Sequence, residues 1–228
     1  MKTICIHQPN FLPFFGFFQK IMKSDFYIAY DDCQYEKQDF TNRVRIRTHE
    51  GVAWLTIPTV RSTIHGMVRD VETCNYDHVA ANILKTIYHN YSKSVNFKRV
   101  FIMLVNVMTD REYKYLFHLN MALIRGVLKM IGYRGGFMTS SSLAVTGTGT
   151  DKIIGLVKAV GGDAYLAGGL GYERHLARID NFNDEGIALY ENIYSEPIYD
   201  QLHGAFIERL SIIDFLMNYT DDYGKAFK

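Results

Sequence analysis

His7, Gln8 and Asn10 crowd one short stretch, and a carboxylate pair follows at Asp31 and Asp32. An imidazole with an ordinary pKa near neutrality can take a proton from a nucleophile, and a carboxylate can orient it. His7 is therefore the candidate general base and Asp31 its orienting partner, with Gln8 and Asn10 as substrate ligands. Other readings of the same residues stay open. His7 can be a satisfied core histidine, Asn10 a turn residue and the aspartates a strand cap. A strand that turns directly into a helix can hold a phosphate on free N–H groups, although no Gly-x-Gly-x-x-Gly or Walker pattern is present. The carboxylates can also serve a metal or acid–base chemistry. Neighbours in an extended chain point to opposite faces, so both aspartates reach one site only where the strand has ended.

The surrounding pattern explains how these residues would be positioned. Residues 3–7 are short, apolar and rich in branched side chains, as in a buried strand. Pro9, lacking a backbone N–H, and Asn10 end it. Helical spacing runs over 13–23, with Phe14, Phe17, Phe18 and Ile21 on one stripe and Lys20 and Lys23 outside it. Residues 26–30 form a second strand. Strand, helix and strand predict a parallel sheet with its ligand crevice at the strand C-termini, where His7 and Asp31 would lie.

Arg43, Arg45 and Arg47 alternate with Val44 and Ile46, so the arginines share one strand face. A turn at 49–51 and a partner strand at 54–58 complete a hairpin, in which Trp54 is expected in the core. A solvated face is the plain reading of the arginines. Their planar forks also suit phosphate or carboxylate, which makes Arg43 and Arg45 anion-binding candidates beside Asn42.

Residues 59–75 are polar and irregular. From about 76 to 132 apolar residues recur at helical spacing, a segment that reads as packing or lid. A short strand resumes at 137–142. Thr150 or Asp151 caps a helix to about Val160, and a strand at 163–167 runs into the turn Gly168-Gly169-Leu170-Gly171 and a short helix near 173–177. Such a turn lets backbone approach a phosphate or sugar, or simply makes a tight corner. A last strand at 187–190, a polar loop at 197–204 with Gln201 and His203, and a helix at 210–219 complete the chain.

With 228 residues, 48% hydrophobic and 21% charged, the chain reads as one globular α/β domain spanning 1–228. A net charge of +1 supplies no field for nucleic acid or a membrane surface. Aromatics at 14% fit a large core, or stacking on sugar and base faces. Three widely spaced cysteines fit no disulfide frame or zinc site, and point to a reducing cytoplasm. No leader and no apolar run of membrane-spanning length is evident.

Several stretches together carry a resemblance. HisGlnProAsnPheLeuProPhePheGlyPhePheGlnLysIle (7–21), AspAspCysGlnTyrGluLys (31–37), ThrAsnArgValArgIle (41–46) and TrpLeuThrIlePro (54–58) resemble the WbqC-like family. So do the helix and strand at 150–167, the glycine turn and the stretch 199–216. The resemblance implies bacterial or phage proteins associated with O-antigen and other surface-polysaccharide gene clusters. It suggests transfer of an amino-acid or acyl group to a nucleotide-linked amino sugar. Its recurring positions match His7, Gln8, Asn10, Asp31, Gln34, Tyr35, Asn42, Arg43, Gln201, Phe206, Ser211 and Asp214. The opening is also similar to nucleotidyltransferases with a His-x-Gly-His motif. Both of those histidines are missing from 12–17, which speaks against adenylyl transfer.

The expectation is a Rossmann-like parallel-sheet core with a β-hairpin insertion and a helical middle. Function is expected as a cytoplasmic transferase with a nucleotide-sugar substrate. The alternatives are a non-catalytic substrate-binding or scaffold protein and an ATP-dependent nucleotidyltransferase or ligase. The candidate site comprises His7, Asp31, Gln8, Asn10, Gln34, Tyr35, Asn42, Arg43, Arg45, Gly168, Gly169, Gly171, Gln201 and His203. Neither a cofactor nor an oligomeric state is assigned.

Overall fold

Strand β1 (Thr3–His7) sits at the middle of a five-stranded sheet because its side chains are apolar on both faces. Ile4 and Ile6 enter one core cluster and Cys5 the other. The computed structural model describes residues 1–37 and 39–227. Helix α1 (Phe15–Met22) leads to β2 (Phe26–Ala29), which pairs parallel to β1. The hairpin β3 (Arg43–Thr48) and β4 (Gly51–Thr56) stands apart as a separate antiparallel sheet. Helices α2 (Tyr76–Tyr91), α3 (Phe97–Thr109) and α4 (Leu116–Ile131) fill the helical middle and feed β5 (Gly136–Thr139). Helix α5 (Gly149–Ala159), β6 (Ala164–Gly168), α6 (Gly169–Leu176), α7 (Ile179–Asp184) and β7 (Ala188–Asn192) follow, then α8 (Ile212–Asn218) and α9 (Tyr223–Ala226).

The sheet order β5-β2-β1-β6-β7, with every pairing parallel, is a doubly wound core. Phenylalanines of α1 and the apolar stripes of α2, α3, α4 and α8 pack on one face; Ile153, Leu156, Val157 and Phe182 of α5 and α7 pack on the other. The chain winds outward from β1 through β2 to β5, then returns through α5 to β6 on β1's other side. The winding reverses between β1 and β6, and the C-terminal ends of those strands diverge there to leave a crevice.

Three local expectations are corrected. Trp54 is 47% exposed. Its place opposite Arg45 puts it on the arginine face, where the Arg43 guanidinium lies 4.5 Å from the ring centre, while Val44, Ile46 and Leu55 take the core. Thr148, not Thr150 or Asp151, stands at the start of α5. Lys20, off the apolar stripe of α1, is only 3% exposed, because its side chain turns in to the sheet, where Nζ donates to Ile6 O.

The turn after β1 is braced from α4. Asn120, fully buried, donates from Nδ2 to Pro9 O and Thr41 O, each at 2.8 Å. Asn120→Leu keeps the volume but strands two buried carbonyls, so it should cost about 2 kcal/mol in urea unfolding.

Candidate active site

The sheet's C-terminal edge opens into a cleft of about 560 Å³, lined by His7 of β1, Lys20 of α1, the 168–171 turn, Arg174, Glu191 and Asn192 of β7, Tyr194 and Arg209. A bay of about 100 Å³ shares its walls and reaches in among Phe17, Lys20 and Asn192. The cleft lies at the β1–β6 reversal, where doubly wound sheets bind ligands. Three cations and one carboxylate line it, which favours an anion.

His7 is half-buried, with its ring edge against Phe17 at 5.0 Å between centroids. Nδ1 lies 2.9 Å from Gln8 O. A carbonyl only accepts, so Nδ1 carries the proton and Nε2 keeps a lone pair. Burial, reinforced by the Lys20 charge, pulls its pKa down to about 3 against the opposing hydrogen bond to Gln8. The expectation of an imidazole titrating near neutrality is thus corrected: with nothing bound, His7 stays neutral across the physiological range. Lys20 donates to Ile6 O at 3.2 Å, and burial lowers its pKa.

The glycines expected to form a turn before a helix near 173–177 are instead the N-cap and first turn of α6, and they reach the cleft because β6 passes into α6 without a break. At the first βα junction seven residues intervene between β1 and α1, and Phe11 and Leu12 are buried within them. The arrangement suited to a phosphate therefore sits at the junction of β6 and α6.

Opposite, the strap after β7 is held on α1. Gln19 Nε2 donates to Ser195 O at 3.1 Å, and Asn192 Nδ2 donates to Gln19 Oε1 at 3.5 Å. The Tyr194 ring lies so close over Gly16 that a Cβ there would stand 2.5 Å from it. The Arg209 guanidinium lies 5.2 Å from the centre of the same ring.

Of the residues singled out from sequence, His7, Gly168, Gly169 and Gly171 share this cleft. Asp31 lies on the neighbouring strand end with Ser140 and Ser141. Its Oδ1 accepts from Ser141 N at 2.9 Å and Oδ2 from Ser141 Oγ at 2.6 Å, while Ser140 Oγ lies 2.9 Å from Oδ1 and closer to Asp32. Gln8 hydrogen-bonds Cys33, and Asn10 is buried with Oδ1 unpartnered. Gln34 donates to His65 O and Gly66 O, Tyr35 is buried beside Thr59, and Asn42 donates to Ile57 O. Arg43 stacks on Trp54, whereas Arg45 Nη2 donates to Arg209 O at 3.2 Å and so reaches the cleft wall indirectly. Gln201 pins Ile207 through both amide ends, and His203 faces Asn90 O. Lys20, Arg174, Glu191, Asn192, Tyr194 and Arg209 were not singled out. Only Lys20 left a sequence signal, a cation four residues after Gly16 in the opening motif.

Among the described residues no group of three or more His, Cys, Asp and Glu side chains could hold a metal ion. No helix among them is long and apolar enough to cross a membrane.

Fold and cleft define a doubly wound α/β protein with a cation-lined cleft at its switch point. The chain belongs to the WbqC-like protein family, whose model matches residues 8–225. It is 27% identical over 227 residues to "Uncharacterized protein Rv1507c" of Mycobacterium tuberculosis, covering 96% of this chain and 94% of that protein. No solved structure matches.

Proposed function

We propose that the protein is a cytoplasmic transferase acting on a nucleotide-linked amino sugar in bacterial surface-polysaccharide biosynthesis, moving an amino-acid or acyl group onto the sugar amine. One observation carries this reading: His7 and the 168–171 turn, far apart in sequence, meet in a single cation-lined cleft at the switch point. The amine attacks the donor carbonyl, its nitrogen loses a proton, and the donor's leaving group departs. His7 Nε2 is the acceptor for that proton. Burial is the larger cause of the depressed basicity of His7; ligand negative charge near Lys20 would offset the smaller part that comes from the lysine and so raise that basicity. Glu191 offers the cleft's carboxylate to the amine, and Asp31 supports the adjacent strand end.

A nucleotide amino sugar at a hundred times its Kd should stabilise the protein by about 2.7 kcal/mol, which raises Tm by roughly 5–10 °C at this size. With an acyl donor present, mass spectrometry should detect the modified sugar. His7→Ala should lower kcat by about 10²–10⁴-fold with its unfolding curve unchanged. Turnover retained in that variant would sink the role of His7.

The depressed basicity of His7 favours a second reading, a non-catalytic protein that binds and presents the same ligand. It predicts the same thermal shift without product. The nucleotidyltransferase or ligase alternative would instead show release of pyrophosphate from ATP.

A further inference from the structure

Among the described residues two lysines are more than nine-tenths buried. Lys152 (7% exposed) has Asp32 at 2.8 Å. Lys20 (3% exposed) has no carboxylate within ion-pair distance among the described residues, and donates to the single carbonyl of Ile6. A buried ammonium without a counter-charge opposes folding, so its own packing does not explain it. It faces the cleft beside the 168–171 turn, since a Cβ on Gly168 would lie 3.9 Å from Nζ. Asn192, 8% exposed, lines the same cleft with its Oδ1 unpartnered. The eight-residue helix α6 begins at Gly169 with no side-chain cap, leaving its first-turn N–H groups to a ligand.

We propose that Lys20, Asn192 and the amino end of α6 form a subsite for a phosphate ester that carries a neighbouring hydroxyl or amine. Phosphate oxygens accept from Lys20 Nζ and the α6 amides, and the neighbouring group donates to Asn192 Oδ1. The subsite rests on the reading of this cleft as the ligand site, and it places the anion on Lys20 where the sequence pointed to the hairpin arginines.

Calorimetric titration with pyrophosphate, a nucleoside diphosphate and the unphosphorylated nucleoside tests the assignment. The wild type should bind the two phosphates and not the nucleoside. Lys20→Met should weaken nucleoside diphosphate binding roughly 10- to 100-fold with Tm equal to or above that of wild type, since a structural lysine would instead lower Tm. Backbone NMR of the wild type provides a check that needs no variant: pyrophosphate should shift the amides of Gly169 and Leu170. Undiminished affinity in Lys20→Met, equal binding of the bare nucleoside, or shifts confined to 43–47 would overturn the subsite while leaving the transferase reading intact. An absence of phosphate binding to wild type would also overturn it. Turnover of the amino-sugar nucleotide, assayed separately, decides the reading beneath it.

Discussion

Lys152→Ala is expected to lower the unfolding free energy by about 3 kcal/mol, read as a fall in Tm of roughly 6–12 °C. Lys152 Nζ lies 2.8 Å from Asp32 Oδ2, with side-chain exposures of 9% and 14%, and sits 5.3 Å from the centre of the Tyr30 ring. Removing the cation strands a carboxylate whose remaining partner is Ser140 Oγ at 2.5 Å. The pair joins α5 to the end of β2, so its loss loosens the edge that also carries Asp31. Asp32→Leu combined with Lys152→Met should recover most of the loss, because an apolar pair leaves no charge unpaired. The pH dependence follows from the same contacts. Burial alone would raise the Asp32 carboxyl, but Lys152 and Ser140 outweigh it and hold the pKa below its usual 3.8. A depressed carboxylate contributes stability that is complete above the unfolded pKa and disappears as pH falls through the lower folded value. The gap between wild type and Lys152→Ala should therefore be full at neutral pH and close under strongly acidic conditions, where Asp32 is protonated in both.

Gly16→Ala is expected to destabilise by about 1–2 kcal/mol, although alanine ordinarily stabilises a helix interior by about 1 kcal/mol over glycine. The reversed sign is the test. A Cβ at position 16 would lie 2.5 Å from Tyr194 Cδ2 and 2.6 Å from Phe14 Cε2, inside contact distance for both rings. The Tyr194 ring would have to lift away, taking the strap that Gln19 and Asn192 hold against α1. Affinity for the proposed nucleotide ligand should fall with stability, since Phe14 and Tyr194 are walls of the cleft. A variant more stable than wild type, with affinity unchanged, would show that Tyr194 takes no part in shaping the site.

By itself the sequence determined the elements whose reasons are local. Branched apolar residues at 3–7, proline at position 9 and the alternation at 43–47 specify strand, turn and strand without help from distant segments. The same holds for His7 at a strand's C-terminal end, whereas the direct passage from β6 into a helix that begins at Gly169 replaces the separate turn expected there. The opening motif carried the family. Tertiary structure decided which neighbours cover each face. Periodicity marks the apolar stripe of α1, yet Lys20 is buried because its side chain reaches in to the carbonyl of Ile6 on β1, while segment 192–195, some 170 residues later, is tied to its neighbour Gln19. Alternation placed the arginines on one face, while cross-strand pairing with Arg45 left Trp54 in solvent among them. Asn120, Asn192 and Tyr194 gave no local signal, since a hydrogen bond to Pro9 or a ring over Gly16 depends on residues more than a hundred positions away. The chain alone therefore located one wall of the cleft, and the opposite wall, with its buried cation, exists only where the winding of the sheet reverses.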